Sequence, residues 1–347
     1  MKVNKWRFFM VLAVAGMIAF MAGCGGDTAE DTGGSSAESE DNSTDSEDAE
    51  ANDSSYPEES IEVVVPAGAG GDTDRNTRTL TQHLEGELGV DLVVQNVEGS
   101  GGSTGSSEIL KADPDGYRVL AYHDGALINK LLGLTDYEVN DFEVAGISVL
   151  DQGNSFLVSG ESEFNSLEDM VKYAEENPGE LAVATETGSF THLQLLALQE
   201  EAGVEFNIVD AGGASDKITA LLGGQVDVVP TQIGLVGEYI ESGEMKSLGV
   251  MAEERLEQFP EVPTFTEQGY DVQFDKIFFW AFPPETPENI VNTFSEAMET
   301  VVTENEEYRE EINGHVVSPE YMGPEEASEF IAETQKRYQE IYENSEQ

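Results

Sequence analysis

The sequence of 347 residues has a single cysteine, Cys24, and few basic residues. One cysteine cannot form an intramolecular disulfide bond or a cysteine-rich metal site. Sixteen Lys and Arg stand against seventy Asp and Glu, which gives a formal net charge of −54 at pH 7. Nucleic-acid binding needs a basic surface that replaces phosphate counterions, so this charge excludes it. Electrostatic docking on an anionic lipid surface is excluded for the same reason.

Histidine is also scarce. No two of the four histidines show the spacing of a metal-binding pair, and no metal cluster or activated nucleophile is visible in the sequence. We therefore predict that the protein is not an enzyme and uses no metal and no cofactor. A secreted enzyme on the same scaffold stays open as an alternative, because a fold does not prove a function.

The excess of acidic residues bears on habitat rather than on function. Such a charge normally destabilises a compact state through self-repulsion. In concentrated salt the Debye length falls to about 3 Å at 1 M, and most of that repulsion disappears. The composition therefore indicates a halophilic acidic protein.

The N-terminus has the features of an export signal. Basic residues precede the apolar run Phe8–Phe20, which is too short to be a comfortable membrane span. The run ends in Met21–Cys24, where small residues before the cysteine are similar to a bacterial lipoprotein cleavage box. We predict a signal peptide over residues 1–23 and a diacylglycerol on Cys24. The alternative is a plain signal peptide or membrane anchor with an incidental cysteine.

Residues 24–55 are predicted to be an acidic, disordered tether behind this lipid anchor. The segment contains Gly, Ser, Thr, Asn, Ala, Asp and Glu after the cysteine and no large apolar residue. Such a composition cannot offset the entropy cost of ordering the chain. The protein is therefore expected outside the cytoplasm, anchored by lipid to the outer face of the cytoplasmic membrane, with no other membrane contact.

From Tyr56 onward, β-branched runs alternate with amphipathic segments. The pattern predicts strands at 61–66, 92–95, 117–122, 181–184, 206–209 and 226–229. It predicts helices at 74–88, 106–112, 166–178, 192–202, 216–222, 287–303 and 324–342. This alternation implies an α/β fold with parallel sheets covered by helices, in which ligands bind at the carboxyl ends of strands.

Four loops rich in glycine and hydroxyl side chains fall at those ends: Gly68–Asp74, Gly99–Gly105, Thr187–His192 and Gly212–Ser215. Glycine lets backbone N–H groups approach a ligand, and a helix N-terminus favours an anionic group. Each loop alone is equally well explained as a tight strand-to-helix turn. Because the four loops are split between two α/β halves, together they predict a ligand cleft between two domains.

Several segments, in this order and spacing, resemble the substrate-binding receptors of tripartite tricarboxylate transporters. The resemblance covers Tyr56 to Gln347. It is carried by IEVVVP at 61–66, GGDTD at 70–74, GSGGSTG at 99–105, DPDGY at 113–117, TGSFTHL at 187–193, LLGGQVDVVP at 221–230, FPEVPTFTEQGY at 259–270 and WAFPPETP at 280–287.

The resemblance implies a two-domain fold of the type II periplasmic-binding-protein class. Domain 1 is expected to comprise 56–153 and 251–347, and domain 2 to comprise 154–250. The implied function is to bind a small organic acid, such as a di- or tricarboxylate, and to deliver it to the membrane permease subunits of such a transporter. A receptor that presents its ligand to a membrane signalling protein is the alternative from another class.

Ligand-binding residues are predicted in the strand-to-helix loops and at a strand end. By position, the resemblance implies Gly71, Thr73, Asp74, Gly102, Ser103, Thr104, Ser189, Thr191 and His192. The predicted set also includes Gly70, Asp72, His123, Thr187, Gly188, Gly212 and Gly213.

Two positions depart from the family pattern. Asp72 places a negative charge beside the expected anion site, and Asp210–Gly212 replaces a Tyr-Lys-Gly segment that supplies a cation. Lys217 is the candidate to replace that cation. These departures keep a zwitterionic ligand, such as an amino acid, open as an alternative.

Overall fold

The computed structural model describes residues 56–345; the predicted signal peptide, Cys24 and the whole of the predicted tether lie outside the described residues. The strands are β1 Ile61–Val65, β2 Leu92–Asn96, β3 Arg118–His123, β4 Glu143–Asp151, β5 Asn154–Ser159, β6 Ala182–Thr185, β7 Asn207–Asp210, β8 Val228–Gln232, β9 Met245–Val250, β10 Lys276–Phe282 and β11 Ser318–Met322. The helices are α1 Asp72–Leu88, α2 Ser103–Ile109, α3 Gly125–Leu131, α4 Leu167–Glu176, α5 Phe190–Ala202, α6 Ala214–Leu222, α7 Gly237–Glu241, α8 Glu288–Glu304, α9 Glu306–Gly314 and α10 Pro324–Ser345.

The strands form two sheets. The first has the order β11-β4-β10-β3-β1-β2, and the second has the order β7-β6-β8-β5-β9. In the first sheet β1 pairs in parallel with β2 and β3, while β10 runs antiparallel to β3 and β4. In the second sheet β6 pairs in parallel with β7 and β8, while β5 runs antiparallel to β8 and β9. The parallel pairs are the strands whose following loops lead into helices.

The chain passes from the first sheet to the second and back. It leaves the first sheet after Asp151 and enters the second at Asn154; it leaves the second after Val250 and re-enters the first at Lys276. The predicted domain limits themselves stay a prediction. Buried apolar side chains from both sheets, among them Val64 of β1 and Phe156 of β5, belong to one packed cluster. Burial of this shared apolar surface stabilises the arrangement of the two sheets.

The helices that follow the glycine-rich loops begin at Asp72, Ser103, Phe190 and Ala214. The sequence prediction places these starts two or three residues too late. Polar residues such as Ser, Thr and Asp are favoured at the first positions of helices, although the same residues are typical of loops. The earlier starts bring the helix N-termini closer to the strand ends.

Strands β4, β5, β9, β10 and β11 are not among the sequence predictions. Most of their pairings are antiparallel, and register shifts interrupt β4 and β10 where the two pair. Such interruptions break the residue pattern by which a strand is predicted.

Within residues 56–345, no helix has the length and apolar composition that a membrane span requires.

Candidate functional site

A cavity of about 60 Å³ lies between the two sheets, at the ends of the strands that lead into helices. Its wall is formed by Ala67, Gly68, Gly71, Asp72, Thr73, His123, Asn154, Glu186, Ser189, Phe190, Gly213, Ala214, Lys217, Thr231, Gln232 and Lys276. These residues come from both sheets and from three strand-to-helix loops. The arrangement is the one expected for a ligand site at the carboxyl ends of parallel strands.

Three helix N-termini meet at this cavity. Helix α1 begins after Gly71, α5 after Ser189 and α6 after Gly213, and all three preceding residues line the cavity. Gly71 and Gly213 have no side chain to cap their helices, and the hydroxyl of Ser189 bonds the hydroxyl of Thr191 and no backbone N–H of the first turn. The N-terminus of a helix carries about half a positive charge together with unsatisfied N–H donors. Three of them around one cavity favour an anionic group there.

Small residues allow the loops to approach one another. A Cβ atom on Gly71 would lie 3.3 Å from the carbonyl oxygen of Gly68 and 3.7 Å from the Cβ atom of Ala214. Ser215 donates a weak hydrogen bond to the carbonyl oxygen of Ala69 across the cleft, at 3.5 Å. Larger side chains at these places would separate the N-termini of α1 and α6.

Lys276 and Asp72 form a buried ion pair on the cavity wall. Burial alone would raise the pKa of Asp72, but the ammonium of Lys276 outweighs that effect and holds the pKa well below its usual range. The ammonium also lies over the rings of Phe278 and Phe190, at 5.1 and 5.6 Å from their centroids. Each charge of the pair is therefore compensated inside the protein.

Lys217 is a second buried ammonium on the same wall. Its Nζ atom donates to Thr191 Oγ1 at 3.0 Å and to the carbonyl oxygen of Pro230 at 2.9 Å. Burial lowers the pKa of Lys217 to about 8, an effect that the negative charge of Asp72 only partly offsets. The lysine that the sequence suggested as a replacement for the missing cation therefore lies on the cavity wall, and its role there stays a prediction.

His123 supplies a neutral ring to the cavity wall. Its Nδ1 atom accepts a hydrogen bond from the backbone N–H of Gly125 at 2.9 Å. The proton of the neutral imidazole is accordingly assigned to Nε2. Burial and the charge of Lys276 lower the pKa of His123 well below its usual value.

Arg75 joins the two sides of the cleft beside the cavity. From α1 its guanidinium donates to the carbonyl oxygen of Gly234 at 3.3 Å and to Gln232 Oε1 at 3.2 Å, both in the second sheet region. It also donates to the carbonyl oxygen of His315 at 3.2 Å, which Gln232 Nε2 contacts at 2.8 Å. These bonds connect α1 to the end of β8 and to the residue after α9.

The structure brings together only some of the residues predicted from the sequence. Those on the cavity wall are Gly71, Asp72, Thr73, His123, Ser189 and Gly213. Those outside the wall are Gly70, Asp74, Gly102, Ser103, Thr104, Thr187, Gly188, Thr191, His192 and Gly212. Thr191 nevertheless contacts the site, since it holds Lys217.

Several of the remaining residues shape the loops. Asp74 Oδ2 accepts from the backbone N–H of Gly70 at 2.9 Å, while Asp74 Oδ1 accepts from Arg78. His192 Nδ1 accepts from the backbone N–H of Gly188 at 3.3 Å. Such bonds fix the loops that present the helix N-termini.

The second glycine-rich loop, Gly99–Gly105, packs against both sides of the cleft. A Cβ atom on Gly101 would lie 2.7 Å from the carbonyl oxygen of Gly188, and one on Gly102 would lie 2.0 Å from the hydroxyl of Tyr122. Residues 101–105 also match the letters of the Gly-x-Ser-x-Gly motif of serine hydrolases. No hydrogen bond joins Ser103 to a histidine within the described part of the chain.

Sequence reasoning missed the cavity residues Asn154, Glu186, Phe190, Thr231, Gln232 and Lys276. Lys276 had a usable signal, because it begins a strand whose six other residues are all buried and apolar.

Over residues 56–345, no group of three or more His, Cys, Asp or Glu side chains is placed to hold a metal ion.

The comparisons with known proteins agree with this geometry. A family model described as the tripartite tricarboxylate transporter family receptor matches residues 77–346. A UPF0065 protein of Agrobacterium vitis, from the TAR-I ttuE-ttuC' intergenic region, is 31% identical over 259 residues, which cover 73% of this chain and 74% of that protein.

Two solved structures are similar along nearly their whole length. The periplasmic binding protein BugD has a TM-score of 0.76 and 25% identity, and the match covers 84% of this chain and 98% of BugD. MatC from Rhodopseudomonas palustris, with bound malate, has a TM-score of 0.75 and 24% identity, over 82% of this chain and 99% of MatC. The predicted family resemblance and the predicted α/β periplasmic-binding-protein fold are confirmed. The chain belongs to the tripartite tricarboxylate transporter receptor family, whose members are solute-binding proteins that act outside the cytoplasm.

Proposed function

We propose that this protein is an extracytoplasmic lipoprotein receptor, not an enzyme. It binds a small organic acid, such as a di- or tricarboxylate, and delivers it to the permease subunits of a tripartite tricarboxylate-type transporter. The observation that carries the proposal is the convergence of three helix N-termini and the buried Lys217 on one cavity between the two sheets.

The chemistry of the cavity supports an acid as the ligand. Charge-assisted hydrogen bonds from backbone N–H groups and an ammonium are about twice as strong as neutral ones, and burial excludes competing water. The similar protein MatC was solved with bound malate, which is an organic acid. The ligand of this receptor contacts Gly71, Thr73, Ser189 and Gly213, and the other residues predicted from the sequence hold the loops in place.

The mechanism is closure of two domains on the solute. Domain 1 comprises 56–153 and 251–347, domain 2 comprises 154–250, and the connections at 151–154 and 250–276 act as hinges. The bonds of Arg75 across the cleft belong to the closed form and favour it when solute is bound. The closed form then docks on the membrane partner.

One observation favours an amino acid as a second candidate ligand. Glu186 lines the same cavity as Asp72, and Asp72 is already neutralised by Lys276. An ammonium group on the ligand would form an ion pair with Glu186.

A membrane sensor is the alternative partner of this receptor. The neighbouring genes distinguish the two partners: permease genes favour transport, and a sensor kinase gene favours sensing.

Transport is tested in the producing cell. Deletion of the gene should abolish uptake of one radiolabelled acid, and re-expression of the wild type should restore it. The Cys24→Ala variant should restore less uptake, because the protein leaves the membrane fraction when it carries no lipid. Unchanged uptake of every acid after deletion contradicts the transport assignment, and membrane retention of the Cys24→Ala variant contradicts the lipid anchor.

A further inference from the structure

Lys217 is unusual among the buried charges of the site, because its partners are neutral. The side chain is 3% exposed, and its two acceptors are a threonine hydroxyl and a backbone carbonyl. An ammonium has three donors, so two acceptors leave one N–H unused. Among the ion pairs of the described residues, none includes Lys217. A buried charge without a counter-charge is costly unless a ligand supplies one.

Lys276 provides the contrast within the same cavity. It is as deeply buried as Lys217, yet Asp72 neutralises it and aromatic rings cover it. The charged side chains of the cavity wall therefore contain one compensated ammonium and one uncompensated ammonium. A ligand carboxylate that pairs with Lys217 compensates a buried charge. A carboxylate that displaced Asp72 from Lys276 would leave the buried charge of Asp72 without its partner.

The remaining titratable groups that face Lys217 do not remove its charge. Asp72 on α1 is engaged by Lys276, and His123 at the end of β3 is neutral. Glu186, in the loop before α5, feels the charge of Lys217 but lies beyond ion-pair distance. Burial raises the pKa of Glu186, so its carboxyl is harder to ionise and is a poorer permanent counter-charge for Lys217.

We propose that Lys217 determines ligand specificity by forming an ion pair with one carboxylate of the bound acid. The inference rests on the proposed receptor function and adds the residue that reads the charge of the ligand. A second carboxylate finds no other uncompensated ammonium on the described cavity wall and meets backbone N–H groups instead. Replacement of the first carboxylate by an amide therefore costs more affinity than replacement of the second.

Proton linkage follows from the same contact. The ammonium is held in a site that lowers its pKa to about 8, and a bound carboxylate raises that pKa again. Below about pH 8 the group is already protonated, and binding needs no proton. Above about pH 8 each binding event takes up a proton, and affinity falls by up to about tenfold per pH unit.

The test is calorimetric titration of the purified protein with malate, succinate and adipate at pH 7 and pH 9.5. The variants are Lys217→Gln, which keeps donors for Thr191 and Pro230, and Lys217→Arg, which restores the charge. Lys172→Met is the matched control, because Lys172 is exposed on α4. For an acid that binds the wild type, Lys217→Gln should weaken binding by about tenfold to a hundredfold. Lys217→Arg should recover part of the loss, and Lys172→Met should bind as the wild type does.

The wild type alone gives an independent reading. Its affinity should fall between pH 7 and pH 9.5, and titrations in two buffers of different ionisation enthalpy should reveal proton uptake at the higher pH. If Lys217→Gln does not fold, the pH dependence of binding by the wild type still tests the role of Lys217. An acid that binds the wild type and Lys217→Gln equally, or with no pH dependence, overturns the role of Lys217 and leaves the receptor intact. If no acid binds the wild type, the proposed function itself fails.

Discussion

Lys276, the first residue of β10, forms an ion pair with Asp72, the first residue of α1, inside the cleft. The two side chains are 7% and 12% exposed. The pair therefore joins the strand that re-enters the first sheet to the helix whose N-terminus faces the cavity. The pair also explains how an aspartate can lie beside the proposed anion site, because Lys276 already compensates the negative charge of Asp72.

Replacement of one partner of this ion pair should destabilise the protein more than the simultaneous replacement of both partners. Asp72→Asn and Lys276→Met each leave one buried charge without its partner, which costs about 3–5 kcal/mol. The double variant should cost less than the sum of the two, because neither charge remains. Denaturant unfolding of the four proteins at pH 7 measures this coupling, and strictly additive losses would show that the charges act independently.

Asp151 gives a prediction about pH. Its Oδ1 atom accepts from the backbone N–H of Gly153 at 2.7 Å, whereas Oδ2 has no hydrogen-bond partner. Burial raises the pKa of Asp151 from 3.8 to about 7. A carboxyl whose pKa is raised on folding contributes stability below its unfolded pKa and loses it as pH rises through the folded value, by about 1.4 kcal/mol per pH unit.

The Asp151→Asn variant should therefore be more stable than the wild type at pH 8, by a few times the roughly 1.4 kcal/mol that one pH unit represents. The advantage should shrink steadily as the pH falls from 7 to 4. Asp113→Asn, at an exposed position, is the control and should show no such trend. Thermal unfolding across this pH range measures the difference, and a difference that stays constant with pH would argue against a raised pKa of Asp151 in the folded protein.

Gly101 gives a prediction about closure. A Cβ atom there would press on the carbonyl oxygen of Gly188 across the cleft, at 2.7 Å. Gly133 has a similar backbone angle, φ +67° against +61°, but open space around it. Gly101→Ala and Gly133→Ala should thus both cost about 1 kcal/mol of stability through the backbone. Only Gly101→Ala should also weaken ligand binding, by tenfold or more, and equal affinities for the two variants would contradict closure through this contact.

Salt should stabilise the protein strongly. With a net charge of −54, self-repulsion is large in dilute buffer, and the Debye length shrinks from about 10 Å at 0.1 M to about 3 Å at 1 M salt. We expect the melting midpoint to rise by roughly 10 °C between 0.1 and 2 M NaCl, which corresponds to about 6 kcal/mol at this size. Sucrose, which stabilises without screening charge, is the control. Equal midpoints in the two salt concentrations would refute the halophilic interpretation.

The sequence was sufficient to predict the parts of the fold that depend on local pattern. The β-branched run Ile61–Val65 forms a central parallel strand, and each glycine-rich loop leads into a helix, as predicted. The antiparallel strands β4 and β10 were not predictable, since their pairing depends on residues more than a hundred positions apart and on register shifts between Phe278 and Phe279 and between Trp280 and Ala281.

The site was only partly predictable for a related reason. Gly71, Ser189 and Gly213 stand at helix starts that local sequence reveals, and all three line the cavity. Lys276, Thr231 and Gln232 reach it because the chain returns to the first sheet and because β8 lies at the centre of the second. No local pattern indicates Thr231 or Gln232, and the only local signal for Lys276 is its place at the start of an apolar run. The loop Gly99–Gly105 had the right composition, yet its backbone packs on Tyr122 and Gly188 instead of on the cavity.

The most direct test of the receptor assignment is thermal unfolding of the purified protein in 1 M NaCl with malate, succinate, adipate, citrate, aspartate or choline. A ligand that binds only the native state raises stability by about 2.7 kcal/mol at a hundredfold excess over its dissociation constant. At least one of the acids should raise the melting midpoint by several degrees, while the cation choline should leave it unchanged. If none of the acids raises the midpoint, or if choline alone does, the cavity between the sheets is not a carboxylate site.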